Sequence, residues 1–297
     1  MTKGVSVSVI IPNLHSPIVD QTIESVLAQT TDLPYEVIVV GMDKWGLVQN
    51  YPEVQFIQTP EPVGAAEARN IGIKAARGEW FIFIDSDCLA QDGWIEAFTS
   101  NFSEGWQVIG GGVQTPEEPF NRLVYNLAMF HAQLSSQSRK TVAFLPTLNL
   151  AVHREVIKKV GLMDEELLRG QDVDWTTRMT LAGFRLLFEP NARILHLPPQ
   201  KDIETLRNDF RRSGYFMIRV RNRYPEIFQL PSILKRAVIF KVFAPIIAAA
   251  TTFNIIVSTK EVRSHTNTIP HIYSLKVAWC HGAAKSLKSM KKDADDQ

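Results

Sequence analysis

The segment EWFIFIDSDC at residues 79–88 decides the fold predicted for this chain. Its apolar run, residues 80–84, indicates a buried β-strand, and Asp85 and Asp87 follow that strand directly. Two interpretations of the acidic pair stay open. Asp ends strands readily because its carboxylate accepts hydrogen bonds from the backbone just downstream, and two neighbouring carboxylates can also bind Mg²⁺ or Mn²⁺ beside a diphosphate.

Strand and helix patterns alternate on the N-terminal side of the acidic pair. This order indicates an α/β fold with a mainly parallel, Rossmann-like sheet and flanking helices. Ligands in such sheets bind beyond the carboxyl ends of the strands, which is where Asn13, Asp43 and the acidic pair fall. The predicted strands are residues 5–11, 35–40, 54–57 and 80–84, and the predicted helices are residues 17–29 and 64–77.

The alternation is less regular after the acidic pair. The run VIGGGV is a strand broken by glycines, which predicts a bulge or a close backbone approach. Asp172 and Asp174 stand at the start of a predicted helix, and residues 146–149 are predicted as a loop. Further helices are predicted at residues 92–102 and within 119–138, and further strands at residues 108–113, 142–145, 184–188 and 192–195.

Composition argues against several classes of protein. The 297 residues carry 32 Lys and Arg against 31 Asp and Glu, a formal charge of +1, so no overall field would attract nucleic acid. Two distant cysteines, Cys88 and Cys280, suit a reducing compartment better than a disulfide scaffold. The apolar run near the N-terminus is cut short by Pro12, so a signal peptide is not expected.

Five motifs together resemble a known family. The segments VSVIIPN, EVIVV, PVGAAEARNIGIKAARGEWFIFIDSDC, GGGV and the stretch from NLAVHREV to ARILH resemble, in order and spacing, the family 2 inverting glycosyltransferases with the A-type nucleotide-sugar-binding fold. The resemblance covers residues 5–196. It implies a divalent metal, Mg²⁺ or Mn²⁺, and transfer of a sugar from a nucleotide diphosphate donor to an acceptor hydroxyl with inversion at the anomeric carbon.

The resemblance also implies roles for residues at matching positions. Asp85 and Asp87 match the metal motif, with Asp87 the direct ligand and Asp85 nearer the ribose or diphosphate. His196 is expected to face the metal or diphosphate, although a lone histidine is more often structural. The residues expected to bind substrate are Pro12, Asn13, Asp43, Arg69, Asn70, Asp85, Asn149 and Trp175.

Three of these residues also have a purely structural interpretation. Arg69 could be an exposed residue on an Ala-rich helix, Pro12 could simply end a strand, and Trp175 could be a core residue instead of an acceptor platform. One departure from the family pattern concerns the donor. Gly41 and Met42 stand where two acidic residues are usual, and Asp43 is the candidate replacement. The resemblance implies a UDP-sugar donor, but this departure leaves the nucleobase open.

The motif RGQDVDW resembles the acidic motif of the catalytic base, with Gln171 in place of the usual glutamate. Asp172 is therefore expected to take the proton of the acceptor hydroxyl. The alternative is that Asp172 or Asp174 caps the helix that begins here, which would lower the pKa of the capping carboxylate.

The C-terminal third differs in composition. Residues 237–257 are apolar apart from Lys241 and are flanked by basic residues, residues 272–292 fit a basic amphipathic helix, and residues 201–223 hold a dense run of arginines. Residues 1–198 are predicted as the catalytic domain, with an acceptor side from about residue 115, and residues 199–297 as a helical membrane-associated region. The expected location is the cytoplasmic face of a membrane, with peripheral or re-entrant attachment. The alternatives are a true membrane span at residues 237–257 and a water-soluble helical subdomain.

The arginine run is expected either to bind a lipid or acceptor phosphate or to be a solvated helix face. The acceptor is expected to be a glycan or a lipid-linked glycan, in glycolipid or cell-surface polysaccharide synthesis. No Gln-x-x-Arg-Trp signature of processive synthases occurs, so addition of one sugar per encounter is expected. Two rival functions remain: a nucleotidyltransferase, and a catalytically silent nucleotide-sugar-binding or membrane scaffold protein.

Overall fold

The computed structural model describes residues 5–229 and 231–295, with side chains as far as Lys292. The strands are β1 (Val7–Leu14), β2 (Tyr35–Met42), β3 (Gln55–Gln58), β4 (Trp80–Ile84), β5 (Cys88–Ala90), β6 (Val108–Gln114), β7 (Lys140–Val142), β8 (Asn149–His153) and β9 (Leu186–His196). The helices are α1 (Val19–Leu27), α2 (Ala65–Ala75), α3 (Trp94–Phe102), α4 (Phe120–Phe130), α5 (Arg154–Val160), α6 (Gln171–Leu181), α7 (Ile203–Arg223), α8 (Pro225–Phe228), α9 (Ala237–Val242), α10 (Ala244–Ser258), α11 (Lys260–Ser264) and α12 (Ile269–Asp295).

The strands form one sheet in the order β3-β2-β1-β4-β8-β6-β9-β5, with β7 paired to β9. β1, β2, β3 and β4 are parallel, as predicted, but β8 runs antiparallel to both β4 and β6, and β5 runs antiparallel to β9. The sheet is therefore mixed, which corrects the prediction of a mainly parallel sheet. Hydrophobic patterning reports that a segment is a strand but carries no information on its direction, and Asn149 was taken as the end of a loop although it begins β8.

A single strand, β9, replaces the two strands predicted at residues 184–188 and 192–195. Its register with β6 shifts between Gly111 and Gly112, where Gly111 pairs with Glu189 and Gly112 with Arg193. This bulge confirms the prediction from the glycine run. A Cβ atom at Gly111 would clash with the carbonyl oxygen of Ala192, so only glycine fits opposite the bulge.

The described residues form two compact units. The first contains the sheet and consists of residues up to Gln114, residues 133–166 and residues 171–198. Its core joins the buried sides of β1, β2 and β4 to helices α2 and α6. The second contains residues 115–132, residues 167–170 and the chain from Pro199 onward. Residues 115–132 and 167–170 thus pack with the C-terminal helices, although the sequence placed them in the catalytic domain.

The second unit is built around α7 and α12. Added Cβ atoms at Gly214 and Gly282 would clash with the carbonyl oxygens of Trp279 and Arg211, so the two helices pack with their backbones in contact. Residues 237–257, predicted as one apolar segment, form α9 and α10 and are interrupted at Phe243. Among residues 5–229 and 231–295, no helix combines the length and apolar character needed to cross a membrane.

Candidate active site

The acidic loop after β4 is held against the loop after β1. Ser16 follows β1, and its Oγ donates a hydrogen bond of 2.7 Å to the carbonyl oxygen of Ser86. The backbone N–H of Cys88 bonds the carbonyl oxygen of Asp85, which closes a turn around Ser86 and Asp87. The paired carboxylates therefore lie at the carboxyl edge of the parallel strands, as the sequence predicted.

Arg69 neutralises the first of the two aspartates. Its guanidinium forms an ion pair with the Asp85 carboxylate, which is about one third exposed. Arg69 itself is 3% exposed, so the alternative that it is a solvent-facing residue of α2 is wrong. Its Nε is buried and has no hydrogen-bond partner within the described residues. Arg69 therefore reaches the site from a buried position on the helix that packs beside β1.

Asp87, Cys88 and His196 form a cluster of potential metal ligands. β5 and β9 pair antiparallel with Cys88 opposite His196, and the ligand atoms of the three residues lie within 4.8 Å of one another. His196 Nε2 is 3.7 Å from Asp87 Oδ1. Burial opposes ionisation of Asp87, but the adjacent His196 and the hydrogen bonds from the Asp87 backbone and Cys88 together outweigh it, so the pKa of that carboxyl is lowered.

The cluster fits a hard divalent cation through its carboxylate and imidazole groups. Burial raises the pKa of the Cys88 thiol well above its usual value, and the charges of Asp87 and Asp85 raise it further, so the sulfur is a neutral and poor ligand for Mg²⁺ or Mn²⁺. Asp87 is about one quarter exposed, which leaves its carboxylate open to a metal and to substrate oxygens. Asp87 and His196 would hold the ion, with Asp85 beside them.

Asp172 lies at the first turn of α6, within electrostatic range of Arg69 and Asp85. Burial raises its pKa, and the Asp85 charge adds to that effect, while a 2.8 Å hydrogen bond from the Val173 N–H and the Arg69 charge act against it. A capping carboxylate would have a lowered pKa, so the raised pKa of Asp172 fits a proton acceptor better than a cap. Asp174 differs, because it is 1% exposed and forms a 3.0 Å ion pair with Arg178.

Comparison with known proteins identifies the family. The sequence model described as "Glycosyl transferase family 2" matches residues 8–161, which is more than half of the chain. The chain belongs to glycosyl transferase family 2. The glycosyltransferase AglE of Haloferax volcanii is 30% identical over 223 residues, which cover 69% of this chain and 71% of that protein. The pre-mycofactocin glycosyltransferase of Mycobacterium tuberculosis is 27% identical over 153 residues, or 48% of this chain and 32% of the relative.

Solved structures share the fold of this glycosyltransferase. The mannosyltransferase PcManGT from Pyrobaculum calidifontis, in complex with GDP-Man and Mn²⁺, superposes with a TM-score of 0.58 at 15% identity, over 92% of this chain and 86% of its own. GalNAc-T7 with UDP, GalNAc and Mn²⁺ gives a TM-score of 0.55 at 17% identity, over 78% of this chain and 52% of its own. The fold is therefore of the A type found in these glycosyltransferases, with a mixed sheet and flanking helices.

In this glycosyltransferase, the side chains of three residues predicted to bind substrate form hydrogen bonds within the folded chain. The Asn70 amide bonds both the N–H and the carbonyl oxygen of Met163, each at 3.0 Å. Asn149 is 1% exposed; its amide accepts from Trp94 Nε1 and donates to Gly112 and Ala192, which braces the bulge of β9. Trp175 is fully buried and donates to Gly161, so the core interpretation is right and an exposed acceptor platform is wrong.

The loops expected to bind the nucleobase are tied to each other. Asn13 is buried and bonds the carbonyl oxygen of Met42 at 3.0 Å. Asp43 accepts from the backbone N–H groups of Trp45 and Val48, so it orders its own loop. Gly41 has a φ of +130°, and a Cβ there would clash with the Asn13 carbonyl oxygen, which explains why no acidic side chain occupies this position. Pro12 lies within β1, paired with Val40, so it does not end the strand.

No sequence signal marks Cys88 as a neighbour of the potential metal ligands. Its side chain lies beside His196 because β5 pairs with β9 in this register, and the two strands are far apart along the chain. His15 was also missed; its Nδ1 accepts a 3.1 Å hydrogen bond from the Lys44 N–H and so links the loops after β1 and β2. The structure brings Arg69, Asp85, Asp87, Asp172 and His196 into one unit, and these five residues form the candidate site.

Proposed function

We propose that this glycosyltransferase moves a sugar from a nucleotide diphosphate donor to an acceptor hydroxyl in one inverting displacement that depends on a divalent metal. The proposal rests mainly on one observation. A separate carboxylate with a raised pKa, Asp172, lies in electrostatic range of Asp85, whose loop also carries Asp87 of the potential metal-ligand cluster. Inversion in a single displacement needs one base and one site for the leaving group. We assign the base to Asp172 and the leaving-group site to the metal-ligand cluster.

Asp172 is the base in this proposal. Its carboxylate accepts the proton of the acceptor hydroxyl as the acceptor oxygen bonds the anomeric carbon, while the bond from that carbon to the diphosphate oxygen breaks on the opposite face. Burial supports the assignment because a carboxylate with a raised pKa takes a proton more readily than an ordinary aspartate. Arg69 positions Asp85 through their ion pair and places a positive charge where a diphosphate would lie.

The proposed metal, Mg²⁺ or Mn²⁺, would be held by Asp87 and His196 with Asp85 adjacent. When bound it would supply positive charge that offsets the charge developing on the leaving diphosphate. The presence of Mn²⁺ in the PcManGT and GalNAc-T7 structures supports this choice. Those two proteins carry GDP-Man and UDP, and a UDP-sugar is the donor proposed for this chain.

We place the enzyme at the cytoplasmic face of a membrane, attached at the surface through α10, with a glycan or lipid-linked glycan as acceptor. The support is the distribution of side chains on α10. This helix buries Ala244, Ala248, Thr252 and Ile255 but exposes Ile246 and Phe253, each about two thirds accessible. A helix that exposes two large apolar side chains, with basic residues flanking it, suits the apolar boundary of an anionic membrane. Glycolipid or cell-surface polysaccharide synthesis is the proposed role.

Calorimetric titration with a panel of nucleotide sugars, with and without Mn²⁺, tests the function. We expect saturable binding of one donor that requires Mn²⁺, loss of that binding in Asp87→Ala, and retained binding without transfer in Asp172→Asn. If the parent protein binds a donor but neither transfers its sugar nor hydrolyses it slowly, the silent scaffold would be favoured. Release of pyrophosphate from a nucleoside triphosphate would favour the nucleotidyltransferase.

A further inference from the structure

The arginine run of residues 201–223 contains one member that differs from its neighbours. Most of the others have polar partners. Lys201 pairs with Asp209 at 2.5 Å, Arg207 with Glu204 at 3.1 Å, and Arg219 donates to Ser286 at 3.0 Å. Arg221 is partly exposed, its Nε is buried, and that atom finds no hydrogen-bond acceptor in the described part of the chain. The run is therefore mainly a set of local pairs, and Arg221 differs in having a buried N–H without an acceptor among the described residues.

Arg221 is held by aromatic rings instead of carboxylates. Its guanidinium carbon lies 5.2 Å from the centre of the Trp279 ring and 5.8 Å from that of Phe228. Trp279 belongs to α12 and Phe228 to α8, so two elements fix the plane of the guanidinium. Stacking on aromatic faces leaves the edge of the guanidinium, where its N–H groups point, available for an acceptor.

A second cation, Lys276, lies one helical turn before Trp279 on α12. Its Nζ donates a 2.7 Å hydrogen bond to the carbonyl oxygen of Ala128 and sits 5.6 Å from the centre of the Phe210 ring. Burial, together with the positive charge of Arg221, lowers the pKa of Lys276 to about 8. The two cations are therefore close enough to repel each other.

No carboxylate compensates this pair within the part of the second unit that the structure describes. Burial alone lowers the pKa of Arg221, and the groups that act on Lys276 besides burial are Arg221 and Cys280. Asp209, the nearest buried acid in sequence on α7, is already paired with Arg169 at 3.2 Å and with Lys201. Two partly buried cations without an anion are costly, because each loses hydration and gains no opposite charge.

We propose that Arg221 and Lys276 form a binding site for a phosphate group in the C-terminal unit. A planar guanidinium beside an ammonium matches the oxygens of a phosphate monoester or diester. The phosphate would supply the missing negative charge, and its oxygens would accept hydrogen bonds from the N–H groups of the two cations. The proposal does not depend on the sugar-transfer reaction, because none of the residues proposed for transfer takes part in it.

Titration of the full chain with inorganic phosphate in the presence of a metal chelator tests the site. The chelator keeps the metal-dependent donor site from contributing. We expect saturable binding that weakens about tenfold in Arg221→Met and in Lys276→Met, since each loses a charge-assisted hydrogen bond. Matched controls are Arg207→Met on α7 and Lys285→Met on α12, which remove exposed charges and are expected to change affinity less than about twofold.

Folding and charge effects are separated by two further measurements. Removing an uncompensated buried charge is expected to keep or raise the thermal unfolding midpoint of both methionine variants. Arg221→Lys keeps the charge but loses the planar group, so its affinity should fall between those of the parent and Arg221→Met. Absence of saturable phosphate binding, or equal weakening in the two controls, would overturn the proposal.

Vesicles distinguish the two sources of a phosphate group. Binding is measured to neutral phosphatidylcholine vesicles with and without phosphatidic acid. If the ligand is a lipid headgroup, phosphatidic acid should increase binding, and Arg221→Met should remove most of that increase while Arg207→Met does not. If the ligand is a free phosphate compound, the increase should be equal in both variants, while inorganic phosphate binding still depends on Arg221.

Discussion

The sheet-containing unit and the C-terminal unit treat charge and apolar surface in opposite ways. In the first, buried ionic groups are neutralised within the chain, as Arg69 is by Asp85 and Asp174 by Arg178. In the second, Arg221 and Lys276 have no carboxylate partner within the described residues, and α10 turns large apolar side chains outward. Burying an unpaired charge or exposing apolar surface destabilises a fold, and the proposed phosphate group and membrane surface would offset these two costs in the second unit.

The largest expected effect is on the turnover number, and it distinguishes Asp172 from Asp174, the second carboxylate of α6. Asp172→Asn should lower the turnover number for sugar transfer about 10³-fold, because the acceptor proton then has no base. Donor affinity and the free energy of unfolding should change little. The measurement is steady-state transfer together with donor titration of the same preparation.

Asp174→Asn is the matched control, two residues away on the same helix. It should lower the free energy of unfolding by about 2 kcal/mol, since Arg178 loses a buried partner. The folded fraction should transfer sugar at close to the parent rate. Near-parent transfer by Asp172→Asn would show that the base is another group.

The next effect concerns the bulge of β9, which sets the shape of the first unit. Gly111→Ala should lower the free energy of unfolding by about 3 kcal/mol, because the added methyl group overlaps backbone and the Asn149 side chain, and neither can move aside cheaply. Urea denaturation measures the change. Gly64→Ala is the control, since nothing lies within 4 Å of a Cβ there, and it should stay within about 0.5 kcal/mol of the parent. Equal losses in both variants would contradict the packing argument.

The outward-facing residues of α10 test the opposite behaviour of the second unit. The double change Ile246→Ser and Phe253→Ser should weaken binding to anionic vesicles by about tenfold, because less apolar surface enters the lipid boundary. Its thermal unfolding midpoint should not fall. Leu181→Ser removes an exposed leucine of the first unit and should leave vesicle binding unchanged. No difference between the two variants in co-sedimentation would remove the case for attachment through α10.

The smallest effect is a displaced pH dependence of transfer. Burial and the neighbouring Asp85 charge raise the pKa of Asp172, and only its ionised form can accept a proton. The turnover number should therefore fall as pH decreases through that pKa, at a higher pH than an ordinary aspartate would give. The acid limb, measured under conditions where the chemical step limits the rate, should be missing from the residual activity of Asp172→Asn. A limb at the ordinary aspartate pKa would argue that Asp172 is not buried in the reacting enzyme.

Parts of the fold and site could be predicted because they depend on local sequence. β4 and β2 are continuous apolar runs, and Asp85 and Asp87 follow β4 directly. The family resemblance pointed to Arg69, Asp172 and His196, and the structure brings them to the same unit. Side-chain roles were harder to predict. Asn70 and Asn149 stand beside functional segments in sequence, yet their amides form hydrogen bonds with backbone groups up to 93 residues away.

The sequence by itself determined the family, the α/β class and the positions along the chain of the first four strands, since hydrophobic periodicity and motif spacing are properties of neighbouring residues. Tertiary structure alone decided the antiparallel direction of β8, the meeting of Cys88 with His196 and the burial that raises the pKa of Asp172. It also singled out Arg221 from a run of arginines that look alike in sequence. The physical reason is common to all four: direction, register, desolvation and pairing depend on which distant groups surround a residue, and a linear pattern does not contain that information.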